Sequence, residues 1–401
     1  MMMKPDVWTP LVGQQAAVTT LARAARAAHA VRAGGSVGSE MTHAWLIVGP
    51  PGSGRSRAAI AFAAALMCPD AGCGECRVCR SVAEGLHPDV HVEATEGSKL
   101  LLENVRPLVH MAALSPVQAD WRVIIVEDAD RLRDESANFL LKALEEPTRH
   151  TVWILCAPSA ADVLPTIASR TRQVALRTPP AAEVAQMLQD EHGVDPLVAA
   201  YAARASQGHI GRARALAFDP GMRERRQRFL NAPMDLRDLA SCLTAAEEVI
   251  DAAEEVAAAK ADVADEAEQE SLRARFYVEG QTRLSGAVKR AHDAEVRQIS
   301  TRAKRRRKRM VVDEIDGALI DLMGLFRDVI AVQFAAETEL INEEMRTQIQ
   351  RIARSTTSAQ TIRRLDALTH ARRVLMAEGT PRTVMEAAMI RLKDPDIVAV
   401  G

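Results

Sequence analysis

Residues 44–67 constrain the fold of this chain more than any other segment. The apolar run at residues 45–48 has the length and composition of a buried strand, and it stops at Gly49 in a glycine-rich loop. An alanine-rich helix is predicted for residues 56–67. A strand, a glycine loop and a helix in this order are the local structure that a phosphate-binding loop requires. The segment therefore predicts an α/β domain with a nucleotide site.

The loop has the spacing of a phosphate-binding motif, with two glycines ahead of a basic and a hydroxyl residue. Its predicted nucleotide-binding residues are Gly49, Pro50, Gly52, Ser53, Gly54, Arg55 and Ser56. Glycines let backbone N–H groups turn toward a phosphate, and the helix N-terminus adds partial positive charge. Arg55 stands where the motif has lysine, and its guanidinium is a planar fork rather than a compact point charge. The loop is thus a working site with an unusual cation, a site that has lost part of its chemistry, or a turn without a ligand.

A pair of acids, Glu127 and Asp128, follows the apolar run at residues 122–126. In parallel sheets ligands bind at the carboxyl ends of the strands, where both the glycine loop and these acids are expected. Hydrolysing phosphate-loop enzymes use an Asp here to hold magnesium and a following Glu to act on water. The order is reversed in this chain, and phosphoryl transfer depends on positioning, so both exchanges should impair hydrolysis. The alternative is that the acids only cap the next helix.

Four of the six cysteines lie within twelve residues of one another. They are Cys68, Cys73, Cys76 and Cys79. Four thiolates this close can surround one tetrahedral zinc ion, and a closed site of this kind is structural. Free thiols or redox pairs are the alternatives. The two remaining cysteines, Cys156 and Cys242, are predicted to be ordinary buried thiols.

The order of elements predicts a parallel sheet with helices on both faces, because apolar strands alternate with helical segments up to residue 178. Prolines at 179 and 180 mark a boundary, and residues 181–230 have the pattern of short helices. Residues 245–310 pass from an acidic run to a basic one around a glycine turn, which is typical of an antiparallel helical hairpin. The basic run at 304–309 either contacts nucleic acid or forms a solvated helix face. No apolar run approaches the roughly 20 residues of a membrane span, and no secretory signal is evident, so a cytoplasmic protein is expected.

Several further motifs join these features. They are Gly13-Gln14, His43, and the segments 87–90, 127–132, 138–147 and 166–171. Together with the loop and the cysteines, they resemble the clamp-loader branch of the AAA+ ATPases, and within it the delta-prime subunits of bacterial DNA polymerase III. The resemblance is close from about residue 11 to 178 and looser over 179–220. The hairpin has no counterpart in the common pattern and looks like an insertion.

The resemblance implies three domains. The first is an α/β AAA+ P-loop domain at 1–178 with a zinc module at 68–79. A small helical lid follows at 179–220, and an all-α, collar-type domain containing the hairpin occupies 221–401. It also implies a place in a hetero-pentamer with gamma/tau-like motors and a delta-like subunit, which opens a sliding clamp and places it on primed DNA. Delta-prime subunits have decayed ATPase residues, so ATP is expected to bind weakly or to escape hydrolysis. The alternative is an active gamma/tau-like motor ATPase.

Arg170, in the pair Ser169-Arg170, is the candidate catalytic residue. Taken alone, this pair indicates no more than a surface salt bridge. The resemblance implies that Arg170 is an arginine finger, supplied in trans to the ATP site of a neighbouring subunit. The family has cysteine where this chain has Thr171, and that exchange leaves the arginine in place. Arg212 falls near the family's lid arginine, although its spacing departs from the pattern.

Overall fold

The computed structural model describes residues 6–32, 40–95, 99–148, 150–276, 286–377 and 379–397. The chain divides into two compact units. The first consists of Met1–Thr95 and Lys99–Phe218, and the second consists mainly of the chain from Asp219 onward. The predicted boundary at residue 178 lies inside the first unit, and the three-domain division stays a prediction.

The first unit is built on a five-stranded sheet. Its strands are β1 Ala44–Val48, β2 Val90–Glu93, β3 Arg122–Val126, β4 Thr151–Ala157 and β5 Arg172–Ala175. Their order is β2-β3-β4-β1-β5, and every pairing is parallel. The central strands β3 and β4 are buried along their whole length, as expected for apolar strands covered on both faces. The predicted parallel sheet is confirmed.

Helices lie on both faces of this sheet. They are α1 Gln15–Arg32, α2 Arg55–Met67, α3 Arg77–Ala83, α4 Leu102–Ala112, α5 Asp134–Glu145 and α6 Pro165–Ala168. Three further helices, α7 Ala181–His192, α8 Pro196–Ala205 and α9 Ile210–Phe218, follow β5 and pack against one another. Successive residues of β1 enter two different cores, because side chains alternate across a strand. Trp45 packs in one core with Phe62 of α2, and Leu46 packs in the other with Leu140 of α5. The predicted fold class is therefore confirmed.

The second unit is helical throughout its described part. Its helices are α10 Pro220–Asp235, α11 Leu239–Phe276, α12 Gly286–Gln333, α13 Arg346–Ser355, α14 Ser358–Met376 and α15 Pro381–Lys393. Leu319, Leu322 and Phe326 of α12 contribute to a core that also contains Met385 of α15. The predicted hairpin corresponds to α11 and α12, and both helices continue beyond residues 245–310 into this core. Part of the turn, including Gly280, lies outside the described residues.

Candidate functional site

The glycine loop joins the carboxyl end of β1 to α2. Gly52 and Gly54 have φ values of +82° and +95°, in the left-handed region that favours glycine. A Cβ on Gly49 would lie only 2.6 Å from Ser53 Oγ. Gly54 caps α2 without a side-chain hydrogen bond, so the first N–H groups of the helix point into the loop without a capping side chain. The backbone thus has the form of a cradle for a phosphate group.

Arg55 turns back onto the loop. Its Nη1 donates a hydrogen bond to the Gly49 carbonyl oxygen at 3.0 Å. This contact holds part of the guanidinium against the protein's own backbone. Reaching outward to the terminal phosphates of a nucleotide would require Arg55 to give up that contact.

His209 packs against the same loop and was missed by sequence reasoning. A Cβ added to Gly52 would collide with the His209 ring, and the N–H of Ile210 donates to the Gly52 carbonyl at 3.3 Å. The Arg212 N–H lies 3.2 Å from His209 Nδ1, which makes Nδ1 the acceptor and leaves the ring proton on Nε2. Burial, followed by the charges of Arg212 and Arg55, lowers the pKa of His209. The start of α9 therefore covers the loop with a neutral imidazole, and the sequence signal for it was its place immediately before the short Ile-Gly-Arg run at 210–212.

The acidic pair lies at the same edge of the sheet as the loop. The N–H of Glu127 donates to the Glu93 carbonyl at 2.9 Å, which extends the pairing of β3 with β2. Asp128 occupies the cap position of the 3₁₀ turn Ala129–Arg131, yet among the described residues its side chain makes no capping hydrogen bond to that turn. The helix-cap alternative is therefore not observed. Asp128 Oδ1 instead lies 4.0 Å from Arg131 Nε.

Cys156, on β4, lies close enough to the acidic pair and to Arg55 for their charges to act on its thiol. This thiol is fully buried. Burial first, and then the charges of Glu127 and Asp128, raise its pKa to about 12, while Arg55 acts in the opposite direction. The structure thus brings Arg55 and the acidic pair to the carboxyl edge of the sheet, as the sequence predicted for an α/β site.

Gln14 ties the start of the domain to the loop. Its Nε2 donates to the carbonyl oxygens of Arg177 at 2.8 Å and Ser53 at 3.4 Å. The Arg177 N–H donates in return to Gln14 Oε1 at 3.0 Å. Gln14 is buried, so these hydrogen bonds give a structural reason for the Gly13-Gln14 motif.

Arg170 lies at the opposite edge of the sheet. It precedes β5, which runs parallel to β1 with Arg172 opposite Trp45 and Ala175 opposite Val48. The glycine loop follows Val48, so the length of a strand separates Arg170 from it, about 16 Å for five residues at about 3.3 Å each. Arg170 cannot reach the loop of its own chain.

The Arg170 side chain is held by a salt bridge and is 38% exposed. Its Nη2 lies 2.6 Å from Glu145 Oε1, and its Nη1 donates to the Thr166 carbonyl at 2.9 Å. The surface salt bridge expected for Ser169-Arg170 is therefore present. A pair this exposed contributes little stability, so its main effect is to fix the direction of the guanidinium.

The four clustered cysteines converge between α2 and α3. Their sulfur atoms all lie within 4.8 Å of one another, and Cys68 Sγ is 3.7 Å from both Cys73 Sγ and Cys76 Sγ. A tetrahedral zinc with Zn–S bonds of about 2.3 Å separates its sulfurs by about 3.8 Å. Backbone N–H groups of Glu75 and Cys76 lower the pKa of Cys73 to about 7, which favours its thiolate, whereas burial raises the pKa of Cys79. The cluster fits a metal ion, and Cys156 and Cys242 are buried free thiols as predicted.

Comparison with known proteins identifies the type of domain. Residues 36–180 match the family described as "DNA polymerase III, delta subunit". The chain is 38% identical over 163 residues to DNA polymerase III subunit delta' of Pseudomonas aeruginosa, which covers 38% of this chain and 50% of that protein. It is 36% identical over 145 residues to subunit gamma/tau of Mycobacterium tuberculosis, covering 35% of this chain and 25% of that protein. A gamma subunit-related protein of Thermotoga maritima has a structure with 16% identity and a TM-score of 0.38, covering 87% of this chain and 93% of that one.

These matches confirm the resemblance to delta-prime-type clamp-loader subunits, and the family match covers residues 36–180. The chain spans half the length or less of the curated relatives named above. The identities to delta' and gamma/tau are similar, so they do not distinguish an ATPase-deficient stator from an active motor subunit. The site residues are the remaining evidence on this point. Within the described ranges, no helix is long and apolar enough to cross a membrane.

Proposed function

We propose that this chain is a delta-prime-type stator of a bacterial clamp loader. In this role it hydrolyses little or no ATP and supplies Arg170 to the ATP site of a neighbouring motor subunit. Its partners are gamma/tau-like motors and a delta-like subunit in a hetero-pentamer. The assembly opens the sliding clamp and loads it on primed DNA in the cytoplasm.

The position of Arg170 carries this proposal. A guanidinium at the amino edge of the sheet is directed away from its own glycine loop, so its phosphate target belongs to another molecule. An arginine placed beside the γ-phosphate stabilises the charge that develops during phosphoryl transfer. Glu145 keeps Arg170 oriented in the free chain, and the arginine would exchange that carboxylate for the phosphate on assembly.

Three features of the chain's own loop support loss of hydrolysis. Arg55 bonds to Gly49 instead of extending outward. The reversed order of Glu127 and Asp128 displaces both carboxylates from the positions that magnesium and water require. His209 covers Gly52. Each feature impairs positioning, which is most of what an enzyme contributes to phosphoryl transfer.

An active motor subunit is the second candidate, favoured by the 36% identity to gamma/tau. ATP turnover by the isolated chain distinguishes the stator from the motor. A stator shows no ATP turnover above background, with or without clamp and primed DNA. Robust turnover that Arg55→Ala abolishes would establish the motor and overturn the stator.

Reconstitution tests the role in the assembly. Candidate motor subunits, a delta-like subunit, clamp and primed DNA are combined with and without this chain, and clamp loading is measured. The expected result is that loading requires the chain. Full loading in its absence would remove it from the assembly.

We also infer that Cys68, Cys73, Cys76 and Cys79 hold one zinc ion. Bound there, the ion would be structural and would fix the α2–α3 turn, because four thiolates complete its tetrahedral coordination. Metal analysis of the purified chain should return one zinc per molecule. A folded chain purified without metal would refute the site.

A further inference from the structure

The basic run of the hairpin separates into two faces of α12. One face looks toward α11, where Arg306 pairs with Asp265 and Glu268, and Arg302 lies 3.0 Å from Glu268. Burial lowers the pKa of Arg306, but the hydrogen bonds that its guanidinium donates to Asp265 and Glu268 outweigh burial and leave that pKa above its ordinary value. These inward cations therefore pair with Asp265 and Glu268 of the acidic run of α11, and their role is structural.

A second set of cations lies on the outward face of α12. These residues, called here the α12 stripe, are Arg290, Arg297, Lys304, Arg305 and Lys308, and all five are exposed. Spacings of seven, four and three residues place them on one side of a helix with 3.6 residues per turn. From residue 290 to 308 the stripe is about 27 Å long at about 1.5 Å per residue.

The stripe carries charge that α11 does not neutralise. Among the described residues, none of its five side chains has a carboxylate within 4 Å. Asp293 lies at its margin and is in contact with His292 Nδ1 at 3.3 Å. Ala294 and Thr301, the other exposed residues on this face, are small. The surface is therefore a narrow line of cations without an apolar centre.

We propose that the α12 stripe binds the phosphate backbone of duplex DNA without reading its sequence. Duplex DNA has one negative charge per about 1.7 Å of axis, and its neutralisation by Lys and Arg supplies non-specific affinity. A line of cations about 27 Å long matches about eight base pairs, which is about three-quarters of a turn. An acidic protein partner fits less well, because protein interfaces have a desolvated apolar or aromatic core. The stripe lies far in sequence from the glycine loop and Arg170, so this inference stands apart from the stator proposal.

The test uses the isolated full-length chain and a fluorescently labelled 20-base-pair duplex of arbitrary sequence. Binding is measured by anisotropy over a salt series starting near 50 mM. The variant carries Arg297→Gln, Lys304→Gln and Lys308→Gln, which remove charge while keeping good helix formers. The matched control carries Arg351→Gln, Arg354→Gln and Arg373→Gln, three exposed cations of α13 and α14. Circular dichroism checks that both variants retain the helical content of the parent.

The stripe variant should bind on the order of tenfold more weakly, and its slope of log K against log salt should fall by about 2.7, for three contacts at about 0.9 each. The control variant should keep the parent affinity and slope. Three results would overturn the proposal. One is no binding to the duplex at the lowest salt, and another is equal loss in the control. The third is competition by polyglutamate as effective as that by unlabelled duplex, which would assign the stripe to an acidic protein.

Discussion

Arg55 illustrates how one side chain changes the chemistry of a loop whose backbone is intact. The backbone of residues 49–54 keeps its cradle because Gly52 and Gly54 supply positive φ values. The cation in that cradle is the planar guanidinium of Arg55, which donates a hydrogen bond to the Gly49 carbonyl oxygen. Restoring the lysine alone changes only one of three defects, because the acids and His209 remain.

We therefore expect Arg55→Lys to leave ATP turnover by the isolated chain at background. The reason is that catalysis of phosphoryl transfer requires the cation, the metal ligand and the water-positioning acid together. A coupled phosphate-release assay measures this, with an intact motor subunit as positive control. Turnover at about 1 s⁻¹ or faster in Arg55→Lys would show that the other two features are harmless.

His209 makes a separate prediction about nucleotide binding. Replacing it with Ala removes the ring that lies against Gly52, so the affinity for an ATP analogue should rise about tenfold, or about 1.4 kcal/mol. His192→Ala, at the end of α7 and paired with Glu191, is the matched control and should change nothing. Titration with a fluorescent ATP analogue distinguishes them. Equal affinities in the parent and His209→Ala would mean that the imidazole does not limit access.

At the scale of elements, sequence periodicity predicted the strands and most helices, but it could not indicate contacts between residues that are distant in sequence. Asp89 precedes β2, and its carbonyl oxygen accepts the N–H of Val123 at 2.8 Å, which extends the pairing with β3. Its carboxylate accepts N–H groups from Val117, Gln118 and Ala119 at 2.6–2.9 Å. These contacts span about thirty residues of sequence, so no local pattern could indicate them.

Asp89 should give acid-dependent stability. Burial by itself raises the pKa of Asp89, but the backbone hydrogen bonds and Arg122 outweigh it and leave the pKa below its ordinary value. A carboxyl whose pKa is lower in the folded chain than in the unfolded chain stabilises the fold. This stability is fully present above the pKa of the unfolded state, near 4, and is lost as the pH falls through the pKa of the folded state. Asp89→Asn should therefore destabilise the chain by about 3–5 kcal/mol at pH 7, as for a broken buried ion pair.

Chemical denaturation at several pH values measures this effect. The gap between the parent and Asp89→Asn should be constant from neutral pH to about pH 5 and should narrow below about pH 4. Asp134→Asn, an exposed acid at the start of α5, should show no gap at any pH. A gap for Asp89→Asn that persists unchanged at pH 2 would contradict the ion-pair explanation.

The cysteine cluster makes a prediction at the same scale. If zinc fixes the α2–α3 turn, Cys73→Ser should lower the zinc content and the melting temperature together, because metal binding is coupled to local folding. Cys242→Ser, a buried thiol outside the cluster, should leave the zinc content at one per chain. A Cys73→Ser protein with full zinc content and parental stability would contradict a four-thiolate site.

At the scale of the whole molecule, the sequence predicted the architecture more securely than the activity. The parallel sheet and helical second unit follow from periodicity, and the edge at which the acids meet the glycine loop follows from parallel topology. The placement of His209 on the loop and the division of α12 into two charged faces depend on tertiary packing. The direction of Arg170 required the register of β5 against β1, which no residue pattern contains.

The central claim is that this chain acts on a neighbour's nucleotide, and substitution of Arg170 in the reconstituted loader tests it most directly. Arg170→Ala and Arg170→Lys are compared with two controls, Glu145→Ala and the exposed Arg133→Ala. Native mass analysis first confirms that every variant assembles. Clamp- and DNA-stimulated ATP hydrolysis and clamp loading are then measured on the same preparations.

If Arg170 is an arginine finger, Arg170→Ala should slow ATP hydrolysis at the adjoining motor site by on the order of a thousandfold, with a corresponding loss of clamp loading. Arg170→Lys should rescue little, because an ammonium lacks the planar fork. Arg133→Ala should keep both activities, because it leaves Arg170 and its contacts unchanged. Glu145→Ala should keep them too, because Arg170 exchanges this carboxylate for the phosphate on assembly and is oriented by it only in the free chain. If an intact assembly carrying Arg170→Ala hydrolysed ATP and loaded the clamp at the parental rates, Arg170 would not act on a neighbour's nucleotide.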